Sequence, residues 1–428
     1  MFRFLKITSL STALISSQFT LTAATPSATP LTWHLTLEQA VAQALTKSPS
    51  QRIARSRIDQ ALARAQQAGL WENPELQLNY VGDQAFSGPG ERNFALGFKQ
   101  KLPLTHRVVL EKGIAHDFIQ LAQHEAADES RRLQQQVASS YLKLAESEAQ
   151  LTLRDELIAL YKNFADFVAS RIKTGEASQI ALNQIKIESA ALQEQQHSLQ
   201  GSRLKHSAKL RQLIGLQPNV KLVLDFEFSV PTQAPNFPRP TAAMLKQHPQ
   251  YQRQALLCKI AEQQLLLSQQ ERWADPTLKI FYKEERNRNT SSNWERDRFV
   301  GIGLSVPLPL FNNGKAAVAE NRARQMQFRA QLQRSQLELS HTAELQRKNV
   351  SQLYTQATDY QEQLAKLVEQ NLTAMQTAYA AGQIALSDVF RAQEQSLILQ
   401  AAHLSRLQHY QQAVIDWQSA IAYSPTND

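Results

Sequence analysis

Residues 350–390 read VSQLYTQATDYQEQLAKLVEQNLTAMQTAYAAGQIALSDVF and belong to a longer stretch, 315–424, with no proline and a single glycine, Gly382. Apolar side chains recur there at alternating steps of three and four residues: Val350, Leu353, Ala357, Tyr360, Leu364 and Leu367. That period predicts a long helix packed along a neighbour. A second helical run follows Gly382, which predicts an antiparallel helical hairpin. Its first arm would be roughly 100 Å long at 1.5 Å per residue, so a tube, rod or strut is favoured over a globule.

The composition suits helices that meet water on more than one side. Hydrophobic residues are 43% of the 428 residues and the mean hydropathy is −0.40, so each arm has a narrow apolar seam and an otherwise polar surface. The net charge of +8 is spread without a dense basic block, which argues against nucleic-acid binding. The lone Cys258 lies among apolar neighbours. It is predicted to be a small buried residue without a disulfide partner in the chain.

Residues 1 to about 24 have the pattern of a secretory leader. Arg3 and Lys6 form a positive start, an apolar stretch follows, and the small Ala23 and Ala24 stand at its end. We expect this segment to be cleaved on export, with an ordinary N-terminal helix as the alternative. No cysteine lies near the cleavage point, so we expect no N-terminal lipid. The sequence has no apolar run of about 18 residues or more, so no membrane-spanning helix is predicted.

Two short helices are expected before the period changes from about 3.6 to 2 residues. The first begins at a capping box at Thr36 and ends near Lys47, and the second runs from Ser48–Pro49 to about Leu70. Apolar residues then alternate with polar or small ones: Leu76, Leu78, Tyr80, Phe94, Leu96 and Phe98. This alternation predicts a β-hairpin with one apolar face.

The same order of features returns about 200 residues later, which indicates a tandem duplication. Trp273–Pro276 repeats the pattern of Trp71–Pro74. Apolar residues alternate again at Leu278, Ile280, Tyr282, Val300, Ile302 and Leu304. A polar loop is expected between these two runs, holding Arg286, Asn289, Trp294 and Asp297. A second long helical hairpin then follows.

The predicted fold is mostly α with a small β part, built twice from a helix, a β-hairpin and a long α-hairpin. The chain is expected to divide into a leader at 1–24, a first repeat at 25–216, a proline-rich connector at 217–240, a second repeat at 241–424 and a tail at 425–428. In the first repeat we expect strands at about 75–82 and 92–101 and a helical hairpin at about 106–214. In the second repeat we expect strands at about 277–284 and 298–306 and a helical hairpin at about 314–422. One strand through Leu222, Leu224 and Phe226 is expected in the connector.

The four expected strands suggest a membrane-spanning barrel. Each has about ten residues, the length that crosses a bilayer at a tilt, and each has one apolar face. Open sheet edges are not tolerated in lipid, so closure requires several chains. Four strands from each of three copies would give about twelve. The alternative is a small soluble sheet whose apolar face packs on a helix.

Four segments in this order resemble the TolC-like outer membrane factors, and more closely their CzcC-type branch, which serves heavy-metal efflux pumps. The segments are LTLEQAV at 35–41, AGLWENPEL at 68–76, GLSVPLPLFNNG at 303–314 and YAAGQIALSDV at 379–389. The resemblance covers essentially the whole chain after the leader. It implies a homotrimer whose twelve-stranded barrel in the outer membrane continues into an α-helical barrel across the periplasm. It also implies a periplasmic adaptor protein and an inner-membrane RND pump as partners.

The resemblance further implies roles for the two helical-hairpin tips. Gly175 and Gly382, with Ser178 and Leu386 beside them, would form the closed periplasmic end and contact the adaptor. In relatives an aspartate after the tip glycine rings the periplasmic aperture, and Asp388 occupies that place. Three such carboxylates at a constriction would attract cations. The alternative is an aspartate that caps its own helix.

The sequence departs from the family pattern near both tips. Ala181 stands where relatives often have an acidic residue, and Arg391 stands where some have a second aspartate. An acidic double ring is therefore not expected in full.

Trp71 and Trp273 are candidates for the membrane interface, where indole is favoured, with packing between layers as the alternative. Pro103, Pro307 and Pro309 are predicted to turn the chain from strand to helix, since proline cannot donate to a sheet. The histidines are scattered and no motif with a catalytic mechanism appears. We therefore expect no enzyme activity, no cofactor and no metal ligand set.

The predicted function is an outer membrane exit duct of a tripartite RND-type efflux system that exports heavy-metal cations. A channel of the same fold for drug efflux or type I secretion is one alternative. A periplasmic coiled-coil scaffold or adaptor is an alternative of another class. The expected location is the outer membrane, with the helices extending into the periplasm.

Overall fold

The structure, a computed structural model, describes residues 32–83, 85, 90–231, 235–288, 293–359 and 365–422. The predicted leader and tail, and Tyr360 and Leu364 of the heptad pattern, lie outside the described residues. The elements within them are β1 Thr32–Leu35, α1 Leu37–Lys47, α2 Pro49–Gln67, β2 Glu75–Gly82, β3 Arg92–Lys101, α3 Arg107–Lys173, α4 Gln179–Ile214, β4 Lys221–Leu224, α5 Ala242–Gln247, α6 Pro249–Gln270, β5 Thr277–Arg288, β6 Trp294–Ser305, α7 Lys315–Asp359, α8 Ala365–Ala380 and α9 Leu386–Ala420. A mostly helical chain with a small β part is confirmed.

Local chemistry accounts for where the short helices begin. At α1 the Thr36 hydroxyl accepts from the Gln39 amide at 3.2 Å, and the Gln39 side chain accepts from the Thr36 amide at 3.1 Å. This is the predicted capping box, which satisfies two amides that the first helical turn leaves without partners. At α2 and α6, Pro49 and Pro249 occupy the first helical turn, where a missing N–H costs nothing.

The longest element is α3, with 67 residues, or roughly 100 Å at 1.5 Å per residue. Its N-terminal part packs against α2 and α6, and from about Arg131 onwards it packs against α4 and α9. Ile114 and Leu121 of α3 meet Leu256 and Ile260 of α6 in a small apolar cluster. Because successive helices cover successive parts of α3, the chain is elongated and no single large core forms.

The two largest apolar clusters lie where the short helices cross the long ones. In the first, α1 and the β1–β4 pair pack on the middle of α3 and the end of α4. Tyr141 is fully buried there, and its hydroxyl donates to the backbone oxygens of Leu35 at 2.9 Å and Asp225 at 3.1 Å. The second cluster has a short helix and two long ones, α5, α7 and α9, around Tyr410 and Trp417. It resembles the first cluster in its helices but contains no strand pair.

The connector contributes to a sheet that the sequence revealed only in part. β4 contains the expected Leu222 and Leu224 but ends before Phe226, and it pairs in parallel with β1, which was not predicted. A four-residue strand such as β1 gives too short a pattern to be recognised alone.

The other four strands form one antiparallel sheet in the order β2-β3-β5-β6. The two hairpins of the duplicated halves therefore lie side by side, joined by β3 and β5. At Gly301 the pairing needs a residue without a side chain, since a Cβ there would come within 2.5 Å of the Phe281 ring. In the part of the chain that the structure describes, the sheet is open and does not close into a barrel.

The second hairpin is longer than predicted. Its strands reach Arg288 and begin again at Trp294, so Arg286, Trp294 and Asp297 belong to strands and not to a polar loop. Asn289 lies outside the described residues. The loop prediction was wrong because charged side chains there pair across the strands, as Glu284 does with Arg296 and Arg298.

Candidate functional site

One face of the four-stranded sheet is apolar and uncovered. The pairing register brings together on this face Leu76, Leu78, Tyr80, Phe94, Leu96, Phe98, Leu278, Ile280, Tyr282, Val300, Ile302 and Leu304. Leu76 is 65% exposed and Ile302 is 75% exposed. Among the described residues no helix covers this face. The structure therefore does not show the alternative arrangement, in which the apolar face packs on a helix of the same chain. A patch of this size is typical of an interaction or membrane surface.

The opposite face of the sheet is mostly polar or small, with Phe281 and Phe299 as its large apolar side chains. The register places on it Gln77, Asn79, Ala95, Gly97, Lys99, Lys279, Phe281, Lys283, Phe299, Gly301 and Gly303. A sheet with one apolar and one largely polar face separates two environments. In a barrel wall these environments are lipid outside and a water-filled interior.

The sheet also has two open edges. In the part of the chain that the structure describes, β2 pairs only with β3, and β6 pairs only with β5. Backbone groups along the outer sides of β2 and β6 therefore lack sheet partners, and such edges favour pairing with another chain.

The chain enters and leaves the sheet at exposed elbows. Trp71 and Trp273 are 60% and 64% exposed, so neither is packed between layers of this chain. Pro103 lies between β3 and α3, and Pro307 and Pro309 lie between β6 and α7. Pro103 and Pro307 come two residues after the last paired residues, and Pro309 comes four residues after, where a missing N–H is tolerated.

Both helical-hairpin tips have the same backbone geometry. Gly175 and Gly382 have φ of +76° and +70°. At each tip the residue after the glycine donates back to the helix: Glu176 to the Arg171 oxygen and Gln383 to the Ala378 oxygen, both at 2.9 Å. This is the Schellman motif, which requires a left-handed residue. A Cβ at either glycine would meet nothing within 4 Å, so the backbone alone selects glycine and both tips are open to solvent.

The helices that leave the two tips are capped differently. Ser178 caps α4, its hydroxyl accepting from the Ala181 amide at 3.1 Å. α9 begins at Leu386, after Ala385, which has no capping side chain, and the Asp388 carboxylate accepts from the Ala385 amide at 3.3 Å. The helix-capping interpretation of Asp388 is thus observed.

Near the tips α9 is joined to α3 by an aromatic stack and a hydrogen bond. The rings of Phe164 and Phe390 lie 4.3 Å apart, and the Tyr161 hydroxyl donates to Glu394 at 2.6 Å. Burial and the neighbouring Glu394 carboxylate raise the pKa of Tyr161. Arg391 lines a groove beside this contact with Glu188, so it faces the neighbouring helices.

A polar network joins the start of α6 to α3 and the end of α9. Arg131 forms an ion pair with Asp128 at 2.9 Å and donates to the Ser419 backbone oxygen at 3.1 Å. His248 is only 2% exposed, and its Nδ1 accepts from the Gln250 amide at 3.1 Å. Burial and the nearby Arg131 charge lower the pKa of His248 to about 4, so the ring is neutral near pH 7 and serves as a helix cap.

The described residues offer neither a metal ligand set nor a membrane-spanning helix. No group of three or more His, Cys, Asp or Glu side chains among them could hold a metal ion. No helix among them is long and apolar enough to cross a membrane.

The sequence interpretation missed a set of arginines at the turn end of the second hairpin. Arg286, Arg288, Arg296 and Arg298 continue the alternation of the apolar face beyond Tyr282 and Val300. The signal that could have revealed them is the period of two, which persists through the charged residues.

Comparison with known proteins gives a family match for part of the chain. Residues 40–216 match the model of the outer membrane efflux protein family. These residues include the first hairpin, α3 and α4. No curated protein sequence matches the chain.

Solved structures share the fold along most of the chain. CusC, studied for transmembrane channel formation, superimposes with a TM-score of 0.71 at 16% identity, covering 90% of this chain and 91% of that one. The CmeC outer membrane channel of Campylobacter jejuni gives 0.70 at 12% identity, covering 90% and 85%. The outer membrane protein VceC of Vibrio cholerae gives 0.68 at 16% identity, covering 91% and 97%. At identities of 12–16%, these similarities show that the fold is shared and nothing further.

Proposed function

We propose that this chain is a TolC-like outer membrane efflux protein and that three copies form the exit duct of a tripartite efflux system. The family match over residues 40–216 and the fold shared with solved outer membrane channels support the proposal. The channel needs no active site, because a wide aqueous path is all that it supplies.

The observation that carries the proposal is the open sheet with an uncovered apolar face. Strands of 8 to 12 residues span about 27 to 40 Å along their length at 3.4 Å per residue. When tilted by about 40°, the ten-residue β3 matches an apolar band about 25 Å tall, and the 12-residue β5 and β6 extend beyond that band. Lipid would cover the apolar face, and the edges of β2 and β6 would pair with neighbouring copies. Four strands from each of three chains make a barrel of about twelve.

The helical part suits a wet tunnel below that barrel. α3 would extend roughly 100 Å from the membrane, at 1.5 Å per residue, with polar side chains over most of its surface. The tips around Gly175 and Gly382 are then the periplasmic end, and we assign the contact with a periplasmic adaptor and, through it, an inner-membrane RND pump to this end. The short elbows with Trp71 and Trp273 lie at the inner interface of the membrane, where indole is favoured.

For the cargo we propose heavy-metal cations, on the resemblance of four segments to the CzcC-type branch. Drug efflux and type I secretion are the alternatives within the same fold. A strain that lacks the gene should become more sensitive to zinc, cobalt, cadmium, copper or silver. Unchanged tolerance to all five, together with sensitivity to organic drugs, would move the assignment to drug efflux.

The proposal of a channel is tested with a matched pair of substitutions on β2. Leu78 lies on the apolar face and Asn79 on the polar face of the same strand. A lysine facing lipid near the middle of the membrane costs about 2–4 kcal/mol per chain, so Leu78→Lys should reduce heat-modifiable trimers in the outer membrane fraction. Asn79→Lys should leave them close to the wild-type level.

Two results would contradict the channel. One is a wild-type protein recovered as a folded monomer from the soluble periplasm, which would favour the scaffold or adaptor. The other is equal behaviour of the two lysine variants, since that would mean that the apolar face does not meet lipid.

A further inference from the structure

The turn end of the sheet carries a row of arginines in register. Arg92 on β3 is paired with Arg286 on β5, and Arg286 is paired with Arg296 on β6. Residues paired in this way have their side chains on one face with Cβ atoms about 5 Å apart, and like charges in such pairs are unfavourable. Three neighbouring strands therefore bring three cations together at one level of the sheet.

The charges of this region are largely sorted by face, with Glu284 on the arginine face and Lys283 on the opposite face as exceptions. The arginine row lies on the apolar face, together with Arg288 and Arg298. The opposite face at the same level has Glu285 paired with Asp297. Because most of these arginines have no acidic residue opposite them on the same face, the arrangement leaves an excess of positive charge above the apolar band.

The chain itself provides little negative charge for these arginines. Glu284 lies one row below and binds both Arg296 and Arg298. Within the described residues no ion pair joins Arg92 or Arg286 to a carboxylate, and the Arg288 backbone amide donates to the Glu91 carboxylate at 3.3 Å. The Arg286 guanidinium lies 4.5 Å from the centre of the Trp294 ring, which orients it without neutralising it.

We propose that Arg92, Arg286 and Arg296 bind the phosphate groups of a phosphorylated lipid headgroup at the membrane surface. Guanidinium groups bind phosphate oxygens in a bidentate manner and are more weakly hydrated than ammonium groups. The apolar side chains directly below, including Tyr282 and Val300, contact the acyl chains of the same lipid. Trp294 stands at the level of the headgroup, where indole is favoured.

The inference rests on the proposed function, because it needs the apolar face to lie in a membrane. The arginine row lies at the end of the strands opposite to the end that joins the helices, so in that orientation it meets the outer leaflet. The occupant is therefore an outer-leaflet lipid with phosphate on its sugar headgroup, and free phosphate is the competing source of the same chemistry.

The test is native mass spectrometry of the detergent-solubilised oligomer with bis-phosphorylated lipid A as the probe. The wild type should retain lipid A and should retain its dephosphorylated form much more weakly. In the triple variant Arg92→Gln, Arg286→Gln, Arg296→Gln, the affinity should fall about a hundredfold, since each basic side chain near an anionic surface contributes roughly a factor of five. Millimolar inorganic phosphate should not displace the lipid.

The matched control removes three positive charges from the opposite face of β3 and β5. Lys99 and Lys279 are paired in register there, and Lys283 lies on β5 two rows nearer the turn end. The variant Lys99→Gln, Lys279→Gln, Lys283→Gln should bind lipid A as the wild type does. The variant with lysine at all three arginine positions keeps the charge without the bidentate geometry and should be intermediate.

Equal loss in both glutamine variants, or displacement by free phosphate, would overturn the inference. If the triple arginine variant fails to assemble, the single variant Arg286→Gln, at the centre of the row, is measured instead. Unchanged affinity of that single variant for lipid A would also overturn the inference. These failures are distinct from failure of the proposed function. The substitution Leu78→Lys tests membrane insertion. Trimers that insert normally but bind lipid A equally well with and without its phosphates would contradict this inference and leave the proposed function intact.

Discussion

At the scale of single residues, His248 shows how burial changes the chemistry of a side chain. Its Nδ1 accepts a hydrogen bond from the first turn of α6, which only an unprotonated nitrogen can do. Asp128, Arg131 and Arg132 surround it, and the two arginines also disfavour a second positive charge. The ring is therefore a neutral cap at the junction of α3, α6 and α9.

This environment makes stability depend on pH. The native pKa of His248 is lowered to about 4 from about 6.5 in the unfolded chain. The unfolded state thus binds the proton more readily, and stability falls as the pH decreases from about 6.5 towards 4. By this linkage the loss at pH 5 is about 2 kcal/mol per chain. Urea unfolding followed by circular dichroism should show the midpoint falling between pH 7 and 5.

The control for this prediction is His248→Asn, because asparagine also caps a helix but does not titrate in this range. Because the substitution also changes the stability at pH 7, the slope of the midpoint with pH is the quantity compared. Equal slopes in the wild type and the variant would show that His248 does not cause the effect.

At the scale of elements, the start of α9 combines two properties in one side chain. Asp388 accepts a hydrogen bond from the Ala385 amide and carries a negative charge in the first turn, where the helix dipole favours it. In a trimer three such charges at the tips would also attract cations. The cap is observed, and the ring of charge at a periplasmic aperture is our proposal.

Two substitutions separate these properties. Asp388→Asn keeps a side-chain acceptor and removes the charge, whereas Asp388→Ala removes both. If the charge lies at the aperture, both variants should show a higher single-channel conductance in planar bilayers or weaker block by divalent cations. If only the cap matters, Asp388→Asn should behave as the wild type does and Asp388→Ala alone should differ.

At the scale of the whole molecule, the open edges of the sheet imply an assembly. β2 and β6 are separated by two strands, or about 14 Å at 4.8 Å per strand. A disulfide needs Cα atoms within about 7 Å, so cysteines on β2 and β6 cannot be linked within one chain. In the proposed barrel β2 of one copy pairs with β6 of the next.

Cysteine crosslinking tests this pairing. In a chain with Cys258→Ser, we expect Leu78→Cys combined in turn with Val300→Cys, Ile302→Cys or Leu304→Cys to give covalent trimers for at least one combination under oxidation. Each chain with only one of the two cysteines should form no covalent species larger than a dimer. Absence of any covalent trimer across all three combinations would contradict closure through these edges.

Much of the architecture could be predicted from the sequence because it depends on local periodicity. Several of these signals depend only on residues a few positions away along the chain. They are the capping box at Thr36, the change of period at Leu76 and the glycine at position 382. The repeated order of these signals predicted the duplication, and the tip glycines have the left-handed backbone that a helix end requires. The strands of the second hairpin were predicted too short, because charged residues were interpreted as a loop.

By itself, the sequence determined the type and order of the elements and the amphipathic character of the four strands, since both follow from spacing along the chain. Only the tertiary structure decided that the two hairpins share one sheet, that no helix covers its apolar face, and that Arg92, Arg286 and Arg296 lie side by side. Strand order and register are set by contacts between residues as much as 200 positions apart. No period along the chain encodes such contacts.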